Sequence, residues 1–179
     1  MQHFKVKLYA TGETAATAPV HDVIPVFHRW IQDSAIPETL IDVSDYIHVP
    51  EGPGIILVAH EGIYSLDTEH GRLGLTYTRR AALGGANATR LRQAIQAVLH
   101  AAQLLESAPE FAGKLAFDRS QWEVSVNDRL LAPNTPESYA TLEALVAAEL
   151  PSAAGAGNWS IQHAGEPREL LRASARRIS

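Results

Sequence analysis

Four side chains able to handle protons or anions are expected to surround one glycine: His60, Tyr64, Tyr77 and Arg79 around Gly62. The stretches 55–66 and 72–78 predict the two arms of a β-hairpin, with 68–71 (TEHG) as its turn and Gly71 free to take a positive φ. If Glu69 and His70 are the turn residues, His60 pairs with Arg79, Gly62 with Tyr77, Tyr64 with Leu75 and Leu66 with Leu73. That register sets an imidazole beside a guanidinium, with two phenols around the hollow at Gly62. The chemistry would be acid–base work by His60 on a small molecule oriented by Tyr64 and Tyr77, its negative group held by Arg79. The same residues also fit plain packing, with His60 bonded in the core and Tyr77 covering Gly62. A slip of one residue would reverse the face and remove the pocket.

A second candidate lies just beyond. Gly84 and Gly85 precede a predicted helix, and free N–H groups at a helix start attract anions. Arg79, Arg80 and Arg90 are close in sequence, so a phosphate or carboxylate could sit against the amides of 88–90. A flexible loop closing into a helix explains the same glycines. A third candidate is a metal site on His48, His60 and His70, with Glu61 and Glu69 near them. His60 and Glu61 are neighbours in a predicted strand and point to opposite faces, so they grip one ion poorly. His21 and His28 are seven residues apart, two helical turns, which is long for one ion. The expectation is therefore no metal and no cofactor. The dinucleotide, P-loop, zinc-protease and nucleophile-elbow patterns do not occur, and the absence of cysteine removes disulfides, thiolate metal ligands and cysteine nucleophiles.

These residues sit in a chain of 179 residues with 46% apolar and 20% charged side chains, ordinary values for a folded domain. Its charge is uneven. Residues 1–70 hold three basic and ten acidic side chains and six of the eight histidines, while 71–179 hold twelve basic and ten acidic. An acidic first part disfavours nucleic acid, whose phosphates dominate affinity. The longest apolar run, 55–59, is too short to span a bilayer, and 1–7 lacks the apolar core of a signal peptide, so cytoplasmic residence is expected.

The elements that must position the candidates follow from periodicity. Alternation predicts a strand at 4–9 and an extended stretch at 40–49, separated by a small-residue loop at 11–19 and a helix at 23–32 capped by Asp22. Val23, Phe27 and Trp30 face inward from that helix. Residues 50–54 (PEGPG) break the chain before the hairpin. The clearest helix covers 88–107, capped by Asn87, with Leu91, Ile95, Val98, Ala102 and Leu105 as its buried stripe. A second hairpin is expected from 114–118 and 122–127. A third helix opens at Thr135-Pro136-Glu137 and stops before Pro151. A linker at 152–157, a last strand at 159–163 and a basic tail complete the chain. Residues 168–179 carry four arginines against Glu169.

The order predicts an α+β fold, a mostly antiparallel sheet with helices packed on it. From Arg72 onward it reads as a ferredoxin-like βαββαβ unit. One domain over 1–163 is expected, followed by the tail 164–179; the element order suggests a duplication relating 1–70 to 71–163, although the two parts share no residue-level repeat.

FHRWIQ (27–32), IDV (41–43), HVPEGPG (48–54) and NDRLLAPN (127–134) resemble a pattern of uncharacterised bacterial proteins of similar length. The resemblance covers much of the chain. It implies a soluble bacterial protein and carries over no activity and no catalytic residue. A complete core pattern without catalytic motifs leads to a non-catalytic, homo-oligomeric protein that binds a partner protein or a small anionic ligand. The alternatives are a small enzyme built on His60, Tyr64, Tyr77 and Arg79, and a metal-binding protein built on the three histidines.

Overall fold

The computed structural model describes residues 1–179 apart from 13, 14, 16, 17, 51, 167 and 179. Its strands are β1 (Phe4–Ala10), β2 (Leu40–Tyr46), β3 (Gly54–Ala59), β4 (Gly62–Asp67), β5 (Gly74–Arg79), β6 (Phe117–Val126), β7 (Asn158–His163) and β8 (Leu171–Ile178). Its helices are α1 (Val23–Asp33), α2 (Asn87–Ser107) and α3 (Pro136–Ala154). All eight strands join one sheet in the order β2-β3-β4-β5-β1-β6-β8-β7, antiparallel at every step. The α+β class therefore holds. The part from β5 onward runs β5-α2-β6-α3-β7-β8. In it β5 and β6 are parallel to each other on either side of β1, joined by a crossover through α2.

Strand alternation decides which side is core. Phe4, Val6 and Leu8 of β1 are fully buried with Leu66, Leu75, Val124 and the apolar stripes of the helices. The intervening residues put Lys7, Asp67, Thr76 and Glu123 on the other face. Over the core face, α1 lies on β2 and β3, α2 on β5 and β1, and α3 on β6, β7 and β8. The helix layer is thinnest above β4, between α1 and α2. No helix among the described residues is long and apolar enough to cross a membrane.

Several expectations are corrected. The arm expected at 55–66 is itself a hairpin, β3 and β4, turning at His60 and Glu61. The apolar run 55–59 and the alternation beyond it looked continuous; two polar residues followed by Gly62 were the turn signal. The pairing of β4 with β5 is also displaced by two residues: Gly62 faces Arg79, Tyr64 faces Tyr77 and Leu66 faces Leu75. The connection holds a short turn at Glu69–Gly71 in which His70 and Gly71 are both left-handed, φ 60° and 69°, and so is longer than a two-residue turn. A two-residue shift keeps the faces, so Tyr64 and Tyr77 remain on the core side.

The hairpin expected at 114–127 is one strand, β6. Leu8 pairs with Trp122 and Ala10 with Phe117, so the intervening residues of β6 form a bulge rather than a turn. Asp118 shapes it by accepting from the Ser120 amide at 2.8 Å. Half of the expected tail 164–179 is β8, lying between β6 and β7. Leu171, Ala173 and Ala175 are buried and alternate with Arg172, Ser174 and Arg176, a strand period in a stretch read as a tail. Helix α3 runs through Pro151 to Ala154, so 152–154 belong to it rather than to a linker. Asn87 is the first helical residue of α2, after Ala86, and does not cap it. Part of the loop expected at 11–19 lies outside the described residues. Arg29 forms a two-point pair with Glu110 at 2.8 and 2.9 Å, tying α1 to the turn after α2 and lowering the pKa of that carboxyl to about 2.

Candidate functional site

A groove opens between the 36–38 connection and α2, with Tyr64 of β4 as its floor. Tyr64 and Tyr77 face each other across the strands with ring centroids 4.9 Å apart. Gly62 makes this possible: a Cβ there would come within 2.5 Å of the Tyr77 ring, which lies over the glycine. The Tyr77 hydroxyl donates to Glu38 Oε1 at 2.6 Å. Glu38 comes from the connection between α1 and β2. Ser34, left-handed with φ 51°, turns the chain out of α1, and buried Ile36 anchors it. The β3–β4 turn grips the far end: the His60 amide donates to Thr39 O at 2.9 Å, and the Thr39 amide donates to Glu61 Oε2 at 3.2 Å.

Helix α2 supplies the opposite wall. Gln93 Nε2 lies 3.4 Å from both Glu38 Oε1 and the Tyr77 hydroxyl. The cavity is about 270 Å³, walled by Ile36 and Pro37 on one side and by Gln93, Ala97 and His100 on the other, with Tyr64 beneath. Two buried oxygens of its lining, Glu38 Oε2 and Gln93 Oε1, have no hydrogen-bond partner among the described residues. Burial pushes the Glu38 carboxyl above the ordinary carboxylate range; the Tyr77 hydrogen bond opposes this, the Glu61 carboxylate adds to it, and Arg79 and Gln93 oppose it. Tyr64 and Tyr77 are held well above the ordinary phenol value, first by burial and next by Glu38. This is a small site with one carboxyl, a phenol pair at its base and two buried oxygens without partners.

Of the residues singled out in the sequence, Tyr64, Tyr77 and Arg79 are brought together here. Arg79 is buried, donates from Nε to Ala81 O at 3.0 Å, and acts on Glu38 through its charge. His60 is not with them. It sits on the β3–β4 turn with its side chain 74% exposed, 3.8 Å from Glu61. The expected anion site is not assembled either. Arg90 donates to Leu83 O at 2.7 Å, Met1 O at 3.0 Å and Asn87 Oδ1 at 2.9 Å, so it pins the loop containing Gly84 and Gly85 to the N-terminus. Arg80 is exposed. For metal, His60 and His70 stand at opposite ends of β4, roughly 20 Å apart at 3.3 Å per residue. No group of three His, Asp or Glu able to hold an ion occurs among the described residues.

The polar face opposite the core is a different kind of cluster. Asp67, 1% exposed, accepts from Lys7 at 2.6 Å, Thr76 at 2.7 Å, the Glu69 amide at 3.0 Å and Ser65 at 3.1 Å. Tyr9 donates to Glu123 at 2.9 Å, Arg172 lies 3.4 Å from the same carboxylate, and Lys5 pairs with Glu69. Both Asp67 oxygens are occupied, as a structural knot requires. Glu38 and Gln93 were missed in the sequence because a lone acid in a loop and a lone amide on a helix have no telling spacing.

Comparison of the chain with protein-family models, curated proteins and solved structures found no match.

Proposed function

We propose that this is a non-catalytic binding protein that holds a small molecule in the groove over β4. The observation that carries the reading is the pair of buried oxygens, Glu38 Oε2 and Gln93 Oε1, without partners in the lining of one cavity. Native folds leave few such atoms, and each costs about 1–3 kcal/mol; a ligand carrying donors would relieve both once the Glu38 and Gln93 side chains turn those oxygens toward it. An anionic ligand held by Arg79, Arg80 and Arg90 has less support, because Arg90 is engaged by backbone carbonyls and the groove presents acceptors. A small-molecule screen read by amide and side-chain NMR tests the proposal. Hits should move Gln93 and Tyr64, and Glu38→Ala should abolish them; hits that map elsewhere count against the groove.

The Glu38 carboxyl also predicts a pH dependence of stability. Its folded-state value is raised, so the folded chain keeps this proton longer than the unfolded chain. Below the unfolded value, about 4.3, the group is neutral in both states. As pH rises from there through the folded value, stability falls. Urea midpoints between about pH 4 and about pH 7 should carry a downward component that Glu38→Gln removes. An unchanged slope in that variant refutes the assignment.

Self-association belongs to the same proposal. Edge strand β2 exposes Ile41 (56%) and Tyr46 (41%), and an edge strand offers unpaired backbone groups to a second copy. Light scattering should give a dimer, and Ile41→Lys should give monomer; a wild-type monomer at high concentration overturns it.

A further inference from the structure

On the reading that the groove over β4 is a binding site, we infer that its ligand presents a primary ammonium group carried on a short apolar or aromatic body. Three independent features of the lining select that class. The first is hydrogen-bond polarity. Both orphaned atoms are acceptors, one carboxyl oxygen and one amide oxygen. An ammonium has three donors and no acceptor, so it can satisfy both without leaving a lone pair of its own buried. A carboxylate or phosphate would face them with more acceptors. A hydroxyl brings one donor and two lone pairs.

The second is the phenol ring of Tyr64 beneath the cavity. It is backed by the buried ring of Tyr77, tilted against it at 4.9 Å. Ring faces attract a cation, and more strongly where water is excluded. The third is the balance of charge. Glu38 and Glu61 are the acidic groups bearing on this place and Arg79 the cationic one, with His100 at the rim. With Glu38 ionised, the surroundings carry one net negative charge, which a monovalent cation neutralises. Ile36, Pro37 and Ala97 supply apolar wall for the body of the ligand. A cavity of about 270 Å³ equals the liquid volume of roughly nine waters at about 30 Å³ each, which limits the ligand to a small molecule.

An ammonium beside Glu38 pairs with the ionised carboxylate, and no bond is made or broken in the ligand.

Three probes of one skeleton test the inference: 2-phenylethylamine, 2-phenylethanol and phenylacetate. They are titrated into the full chain, with NMR reporting on Tyr64 and Gln93 and calorimetry giving the affinities. The amine should bind at least tenfold tighter than the alcohol, and phenylacetate should not bind. Glu38→Gln should weaken the amine at least tenfold and leave the alcohol unchanged, and Gln93→Leu should weaken the amine without changing the alcohol. Circular dichroism confirms that each variant is folded, and either variant suffices. Equal or tighter binding of the alcohol or of phenylacetate, with shifts at Tyr64 and Gln93, overturns the ammonium class while leaving the groove as a site. No shift at those residues with any probe overturns the groove itself and the inference with it.

Discussion

Lys7→Met should cost the fold about 3–5 kcal/mol, the range for removing one partner of a buried ion pair. Lys7 and Asp67 are each 1% exposed, on the sheet face opposite the core. The ammonium donates to Asp67 Oδ1 at 2.6 Å and to the Glu69 carbonyl at 2.9 Å. Without it the carboxylate keeps Ser65, Thr76 and the Glu69 amide, but its charge stands in a dry place with no counter-charge beside it. The penalty is thus desolvation that is no longer offset, and not the loss of one hydrogen bond. A second variant separates these causes. Lys7→Met combined with Asp67→Leu removes both charges and should recover most of the loss, because an apolar pair of similar volume is often as stable as a buried ion pair. Urea denaturation at neutral pH measures both. A single-variant loss under 1 kcal/mol, or a double variant no better than the single, would falsify the account of this face.

Gly62→Ala is the second large effect, and it reaches the groove. The new methyl would stand 2.5 Å from Tyr77 Cε2 and 2.7 Å from its hydroxyl oxygen, closer than real contacts allow. The ring cannot simply slide, since Tyr64 packs against it at 4.9 Å. Overpacking of this kind costs about 1–3 kcal/mol. The hydroxyl should also lose Glu38, which it reaches at 2.6 Å. Tyr77→Phe is the matched control: the ring stays over Gly62 and only the hydroxyl goes, at about 1 kcal/mol. In both variants the Glu38 carboxyl should move further up, because the Tyr77 bond is what holds it down against burial. The fall in stability with pH should then extend to higher pH than in the native chain. A Gly62→Ala protein with native stability and an unshifted pH profile would show that the ring does not depend on the glycine.

These two sites were legible to different degrees. Tyr64, Tyr77 and Gly62 were found as a group because strand alternation assigns faces, and a two-residue error in register leaves every face as it was. Their partner was misread. His60 belonged to the same alternation on paper, but a turn at 60–61 interrupts it and puts the imidazole outside. Glu38 sits beside a proline in a connecting loop, where no periodicity applies. The Lys7–Asp67 pair spans 60 residues, and charged residues in alternating strands are ordinarily read as solvated.

What the sequence alone determined was local: the three helices, strands β1, β2, β5 and β7, which side of each turns inward, and hence the α+β class. Periodicity carries that information because side-chain direction follows from backbone geometry within a few residues. What only the tertiary structure decided was adjacency. The insertion of β8 between β6 and β7, the return of the Glu38 loop over β4, and the burial of Lys7 against Asp67 each depend on contacts between segments far apart in the chain. Such contacts form when whole faces compete to leave water, and that competition has no signature in the spacing of neighbouring residues.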